Sequence, residues 1–218
     1  MPKITFTEPL LTNQYFNFGD LGVYEGEANM KSRDGEGKMV YEKDSIYIYP
    51  TDSYDSADRD FPITYEGEWK DNQRHGKGVL YYNPFSIWRE HSVPNKYEGQ
   101  WSQDMRHGYG EEIMYKRNFD SWHTNPNIYT GEFMYNKKHG KGKMIYSSGS
   151  TYVGEWKEGF RDGKGILTKD GDVYQGEWKS GLKHGKGKLT YDGRVYEGNW
   201  KEGFFENEKG ILTYVDGE

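Results

Sequence analysis

The 218-residue chain contains no cysteine. Disulfides and thiolate metal sites are therefore excluded, and a reducing compartment is permitted. Aliphatic residues are also scarce: hydrophobic residues of every kind make up 33%, and the mean hydropathy is -1.09. No run approaches the ~20 apolar residues that a membrane span requires. Met1 to Leu11 lacks the basic-then-apolar layout of a secretory leader. Pro2 stands where myristoylation needs glycine, and Val215 to Glu218 carries no prenylation motif. The expectation is a cytoplasmic protein without a lipid anchor. Basic excess is missing as well. The formal net charge is -6, with 14 basic and 21 acidic side chains in residues 1–128 against 15 and 14 in residues 129–218. A nucleic-acid footprint has the opposite sign, so nucleic acid is not an expected partner.

A chain this polar ordinarily cannot build a packed core. Two surpluses argue otherwise: aromatics reach 17%, including 20 Tyr and 7 Trp, and there are 29 Gly. Flat rings lying over bare backbone can take the place of an aliphatic core.

These surpluses are periodic. A Tyr followed two residues later by Gly recurs at Tyr24, Tyr65, Tyr97, Tyr129, Tyr152, Tyr174 and Tyr196. Two residues further on stand Ala28, Trp69, Trp101, Phe133, Trp156, Trp178 and Trp200. Eleven residues after each Tyr a Gly-x-Gly begins, at Gly35, Gly76, Gly108, Gly140, Gly163 and Gly185; the seventh copy has Asn207 there. Positions i, i+2 and i+4 share one face of a strand, and the intervening Glu66 and Glu68 fall on the other. After a turn at Lys70 to His75, the run Gly76, Gly78, Leu80 alternates in the same way, so each copy reads as a β-hairpin. Placing Trp69 opposite Gly76 sets Glu68 against Lys77, Gly67 against Gly78 and Tyr65 against Leu80. The same register pairs Glu132 with Lys141, Glu155 with Lys164 and Glu177 with Lys186.

With these motifs in view, the chain resembles the MORN (membrane occupation and recognition nexus) repeat family. Its repeat reads Tyr-x-Gly-x-Trp, a short charged turn, then Gly-x-Gly and an apolar residue. The clearest copies are Tyr152-Val-Gly-Glu-Trp156 with Asp162-Gly-Lys-Gly165, and Tyr174-Gln-Gly-Glu-Trp178 with His184-Gly-Lys-Gly187. The expected fold is all-β: an elongated, solenoid-like stack of seven antiparallel hairpins. Residues 1–23 read as an N-terminal capping segment, with a strand drawn from Lys3 to Phe18, and residues 24–218 as the repeat array. An uncovered C-terminal edge strand would favour a homodimer.

Tyr-to-Tyr spacings of 41, 32, 32, 23, 22 and 22 residues place insertions in the first three copies, at about 42–64, 83–96 and 116–128. The first insertion holds six carboxylates against two basic residues. The other two contain the Trp residues outside the repeat position, Trp88 and Trp122, with Phe85 and Phe119 nearby. Two readings stand for them: cover for their own sheet, or anchors for a partner. The candidate binding set is these four together with the repeat aromatics: Tyr65 and Trp69, Tyr97 and Trp101, Tyr129 and Phe133, Tyr152 and Trp156, Tyr174 and Trp178, Tyr196 and Trp200.

The histidines before the glycine pairs, His75, His107, His139 and His184, suggest a metal site. Consecutive hairpins lie about 10 Å apart, too far for ligands that must each reach within about 2 Å of one ion. No nucleophile elbow, phosphate loop or zinc-protease motif is present, so neither catalysis nor a cofactor is expected. The resemblance implies a scaffold that binds protein partners in a ciliary (axonemal) or other cytoskeletal assembly. A peripheral phosphoinositide adaptor is the alternative, motivated by Lys141, Lys143, Lys164, Lys186 and Lys188 and weakened by their neighbouring carboxylates.

Overall fold

The computed structural model describes residues 3–6, 22–28, 32–41, 61–83, 94–115 and 125–214. Among them every regular element is a β-strand. The chain divides into two units, Met1–Arg106 and His107–Glu218. The first holds β1 (Lys3–Phe6), β2 (Gly22–Ala28), β3 (Arg33–Tyr41), β4 (Phe61–Lys70), β5 (Gln73–Asn83), β6 (Asn95–Ser102) and the first residues of β7 (Met105–Met114). The second continues with β8 (Asn127–Met134), β9 (Lys137–Ile145), β10 (Thr151–Lys157), β11 (Phe160–Lys169), β12 (Asp172–Lys179), β13 (Leu182–Tyr191), β14 (Arg194–Lys201) and β15 (Phe204–Tyr214). Within each unit, strand order equals chain order and neighbours run antiparallel. Strands β2 to β15 supply the seven expected copies, and β1 pairs with β2 through Lys3↔Glu27 to Phe6↔Tyr24.

The turns explain why the strands reverse tightly. Asp71 and Asn72 adopt φ of 50° and 66°, and Glu158 and Gly159 adopt 50° and 88°. Two successive left-handed residues form the mirror-image turn whose twist matches that of paired strands.

The expected register holds over half of each hairpin. Tyr65↔Leu80 and Gly67↔Gly78 are opposed as expected, but Trp69 faces Arg74 rather than Gly76. Between those pairs the second strand bulges, at a glycine of positive φ: 54° at Gly76, 98° at Gly163. A strict period of two cannot absorb the extra residues of a bulge. The Trp-over-Gly pairing occurs instead between consecutive copies, as Gly35↔Trp69, Gly76↔Trp101 and Gly163↔Trp178. Two of the charge pairs move with it, Glu155 lying opposite Lys141 and Glu177 opposite Lys164, whereas Glu68 faces Glu36 and Glu132 faces Tyr109. Within a hairpin the glutamate closes the bulge, accepting a hydrogen bond from the backbone N–H of Lys77 on Glu68 (2.7 Å) and of Lys141 on Glu132 (2.8 Å).

Strand boundaries also differ from the expected insertions. Phe61, Asn95 and Asn127 already begin strands, so residues 61–64, 95–96 and 127–128 belong to the sheet. Trp88, Trp122, Phe85 and Phe119 lie outside the described residues.

Candidate functional site

Within each unit one face of the sheet collects the Tyr and Gly of every copy with its Trp, or Ala28 or Phe133 in the Trp position, because these alternate residues point the same way. The Tyr rings of the first six copies reach along their strands and donate their hydroxyls to a backbone carbonyl three residues on. Tyr65 donates to Glu68 at 2.9 Å, Tyr129 to Glu132 at 2.9 Å, and Tyr152 to Glu155 at 3.0 Å. The ring thereby covers the second glycine of the pair, where a Cβ at Gly165 would collide with Tyr152. The Trp of the following copy stands edge-on to this Tyr. Tyr152 and Trp178 have centroids 5.4 Å apart at 85°, and Tyr174 and Trp200 5.2 Å apart at 80°. Each indole Nε1–H donates to a glycine carbonyl of the copy before: Trp69 to Gly37, Trp101 to Gly78, Trp156 to Gly142, Trp178 to Gly165 and Trp200 to Gly187, all between 3.1 and 3.3 Å. Edge-to-face ring pairs of this kind contribute about 0.5–1.5 kcal/mol each beyond area burial.

The expected repeat residues are thus brought together, but as the core. Tyr65, Tyr97, Tyr129 and Tyr152 are fully buried, Trp69, Trp101, Trp156, Trp178, Trp200 and Phe133 are at most 5% exposed, and Tyr174 is 1% exposed. Tyr196 is half-buried, against Phe205 at 5.8 Å. Burial pushes the phenols of Tyr24 and Tyr174 up to about 12, and those of Tyr65, Tyr129 and Tyr152 up further.

Sequence reasoning missed a row of cations laid over these rings. Arg33 stacks 4.2 Å from the Trp69 centroid, Arg74 4.5 Å from Trp101, Arg161 4.2 Å from Trp178 and Lys183 4.6 Å from Trp200. Arg106 lies 5.7 Å from Tyr97, and Lys138 lies 5.4 Å from Tyr129. All six stand nine residues after their repeat Tyr, and the seventh copy has Phe205 there. That offset was the available signal; alternation between Arg and Lys concealed it. Arg74 is held by Asp104 at 3.1 Å, and Lys138 by the buried Glu112 at 2.8 Å. A cation on an aromatic face is attracted by the ring quadrupole. Surface over the aromatic floor is therefore partly cationic.

The opposite face is charged and open. Lys141, Lys143, Lys164, Lys186 and Lys188 are exposed there, with Lys188 3.9 Å from Glu197. Among the described residues there is no cluster of three or more His, Asp or Glu that could hold a metal ion. No helix among them is long and apolar enough to cross a membrane.

Copies paired edge to edge, five of them stapled to the one before through an indole and a glycine carbonyl, define a tandem hairpin-repeat interaction module. The MORN repeat model matches residues 65–84, 97–116, 129–151, 152–173, 174–193 and 196–218, and the chain belongs to that family. The hairpin β2–β3 precedes the matched copies yet keeps the Tyr24↔Met39 and Gly26↔Gly37 register, with Ala28 in place of the aromatic. No curated protein matches the chain as a relative.

Proposed function

We propose that this protein is a non-enzymatic scaffold that binds protein partners in a cytoplasmic, cytoskeleton-associated assembly, ciliary or axonemal in the sharpest form of the reading. Six family-matched copies carry it, since MORN repeats mediate protein and membrane interactions. The buried aromatic rows act as a stiff floor, whereas the inserted loops with Trp88, Trp122, Phe85 and Phe119 provide the individual grip. Detergent extraction of cells expressing the tagged chain tests this. Retention in the insoluble pellet, weakened by Trp88→Ala with Trp122→Ala, is expected, and retention unchanged by that pair would count against the loops. Full release into the supernatant would sink the cytoskeletal reading.

Exposed lysines on the open face motivate the second reading, a phosphoinositide-binding adaptor. Flotation with phosphoinositide vesicles separates it from the first. A second copy pairing along β15 is the proposed route to a homodimer, to be read by sedimentation.

A further inference from the structure

In the last three copies the residue just after the hairpin turn forms a row of its own. Phe160, Leu182 and Phe204 stand eight residues after Tyr152, Tyr174 and Tyr196, and they are 58%, 49% and 78% exposed. Their neighbours Arg161, Lys183 and Phe205 turn to the aromatic face. By alternation these three side chains project from the opposite face. Each is paired across its turn with a lysine: Lys157↔Phe160, Lys179↔Leu182 and Lys201↔Phe204. The turns are held in line by backbone bonds to the preceding copy, Gly181 N–H to Arg161 O and Gly203 N–H to Lys183 O, both 2.9 Å. The row is therefore a fixed ridge of three apolar knobs, each with a cation beside it.

Exposed apolar residues repeated in three consecutive copies need a reason, because the same position holds Ser32, Gln73, Met105 and Lys137 in the other copies. The three lysines close no ion pair with a carboxylate among the described residues. Of the carboxylates on the same turns, Glu158 is taken by Lys137 at 2.8 Å and Asp162 accepts from Ser180 N–H at 3.1 Å; Glu202 remains at the last turn. A lysine without an ion pair thus stands beside each knob, while Asp162 and Glu202 keep their negative charge on the same surface.

Spacing selects the occupant. Copies recur every two strands, about 9.6 Å. Seven residues of α-helix advance about 10.5 Å and return to nearly the same face. An extended strand covers the distance in three residues but points alternate positions to opposite faces.

We infer that the ridge of Phe160, Leu182 and Phe204 docks an amphipathic helix of a partner protein, with apolar residues at i, i+7 and i+14 flanked by acidic side chains. This rests on the reading as a protein-binding scaffold and names a surface apart from the inserted loops. A membrane fits less well, since isolated knobs separated by lysines make no continuous apolar area and the chain is net acidic.

The test uses the full chain and a fluorescent synthetic helical peptide carrying Leu at heptad spacing and Glu beside each Leu. Its control is the same composition with the Leu positions shuffled. Saturable binding of the heptad peptide is expected, at least about tenfold weaker in a Phe160→Ser, Leu182→Ser, Phe204→Ser variant whose circular dichroism and melting are unchanged. Equal binding of the shuffled peptide, or no loss in the variant, would overturn the inference. So would knob-dependent binding to anionic vesicles without peptide binding. Failure of the peptide to bind, with the parent retained in the detergent-insoluble pellet, defeats the ridge and leaves the scaffold reading intact. Absence of the parent from the pellet defeats the cytoskeletal reading itself.

Discussion

At the residue scale, the tightest constraint lies on glycines that have no room for a Cβ. A methyl on Gly154 would strike the backbone of Gly165 and Lys164, whereas one on Gly149 meets nothing. Gly154→Ala is expected to cost more than about 2 kcal/mol in urea unfolding, and Gly149→Ala, strained only by its φ of 87°, about 1 kcal/mol. Equal losses would show that conformational freedom, not contact, selects these glycines. Trp178→Phe keeps one aromatic ring but forfeits the 3.2 Å bond to Gly165 O and part of the buried indole, so at least about 1–2 kcal/mol should go. The buried phenols add a pH signature. Their ordinary value is 10.0, and in the fold burial raises it, to about 12 for Tyr24 and Tyr174. The neutral form is thus favoured by folding, so the contribution is fully present below pH 10 and is lost as pH rises through 12. Part of the tyrosinate absorbance should therefore appear only in a step coincident with loss of the sheet signal; absence of such a step would contradict the burial of these phenols. The spacing of Tyr, Gly and Trp made this core legible in the sequence, because rings and bare backbone have only one good way to stack. Their burial was less legible: the same residues fit an open groove until Arg161 and its equivalents are seen lying over them.

At the element scale, bulges interrupt the hairpins and five junctions carry an indole staple. Strand pairing and turn position could be read from alternation, and the Tyr65↔Leu80 and Gly67↔Gly78 pairs stand as expected. The bulge beyond them could not, since it depends on Gly76 adopting a φ of 54°, which glycine permits but does not announce. That displacement sets Glu155 and Glu177 opposite lysines of the preceding copy, whereas Glu68 and Glu132 close the bulges of their own hairpins through backbone N–H groups. A stronger tie crosses β8: Lys138 on β9 reaches Glu112 on β7, both side chains being largely buried. Glu112→Ala would leave a cation buried against Tyr129 without its carboxylate, at a cost of about 3–5 kcal/mol. Replacing both partners with leucine should recover most of that loss in the same denaturation assay. Failure to recover would mean that Glu112 stabilises the strand by some other route.

At the scale of the whole molecule, regular copies in the second unit are interchangeable by construction. Tyr174 and Tyr196 are 22 residues apart, so deleting residues 174–195 should bring Trp200 against Tyr152 and let its indole meet Gly165 O. The shortened chain is expected to melt cooperatively at a lower temperature, and a broad, non-cooperative melt would refute the equivalence of the copies. What the sequence left illegible at this scale is whatever does not repeat. The insertions around Trp88 and Trp122 offer no second copy to compare, and the division between Arg106 and His107 falls inside a strand without a compositional mark. Strand order that equals chain order has one more consequence, which is mechanical. A pull along the chain loads the bonds of one strand at a time at the open edge, so resistance never sums over several strands. Within the second unit such a chain would yield at low force in steps of one copy, each releasing roughly 75 Å of contour, and would rewind in the reverse order when slackened.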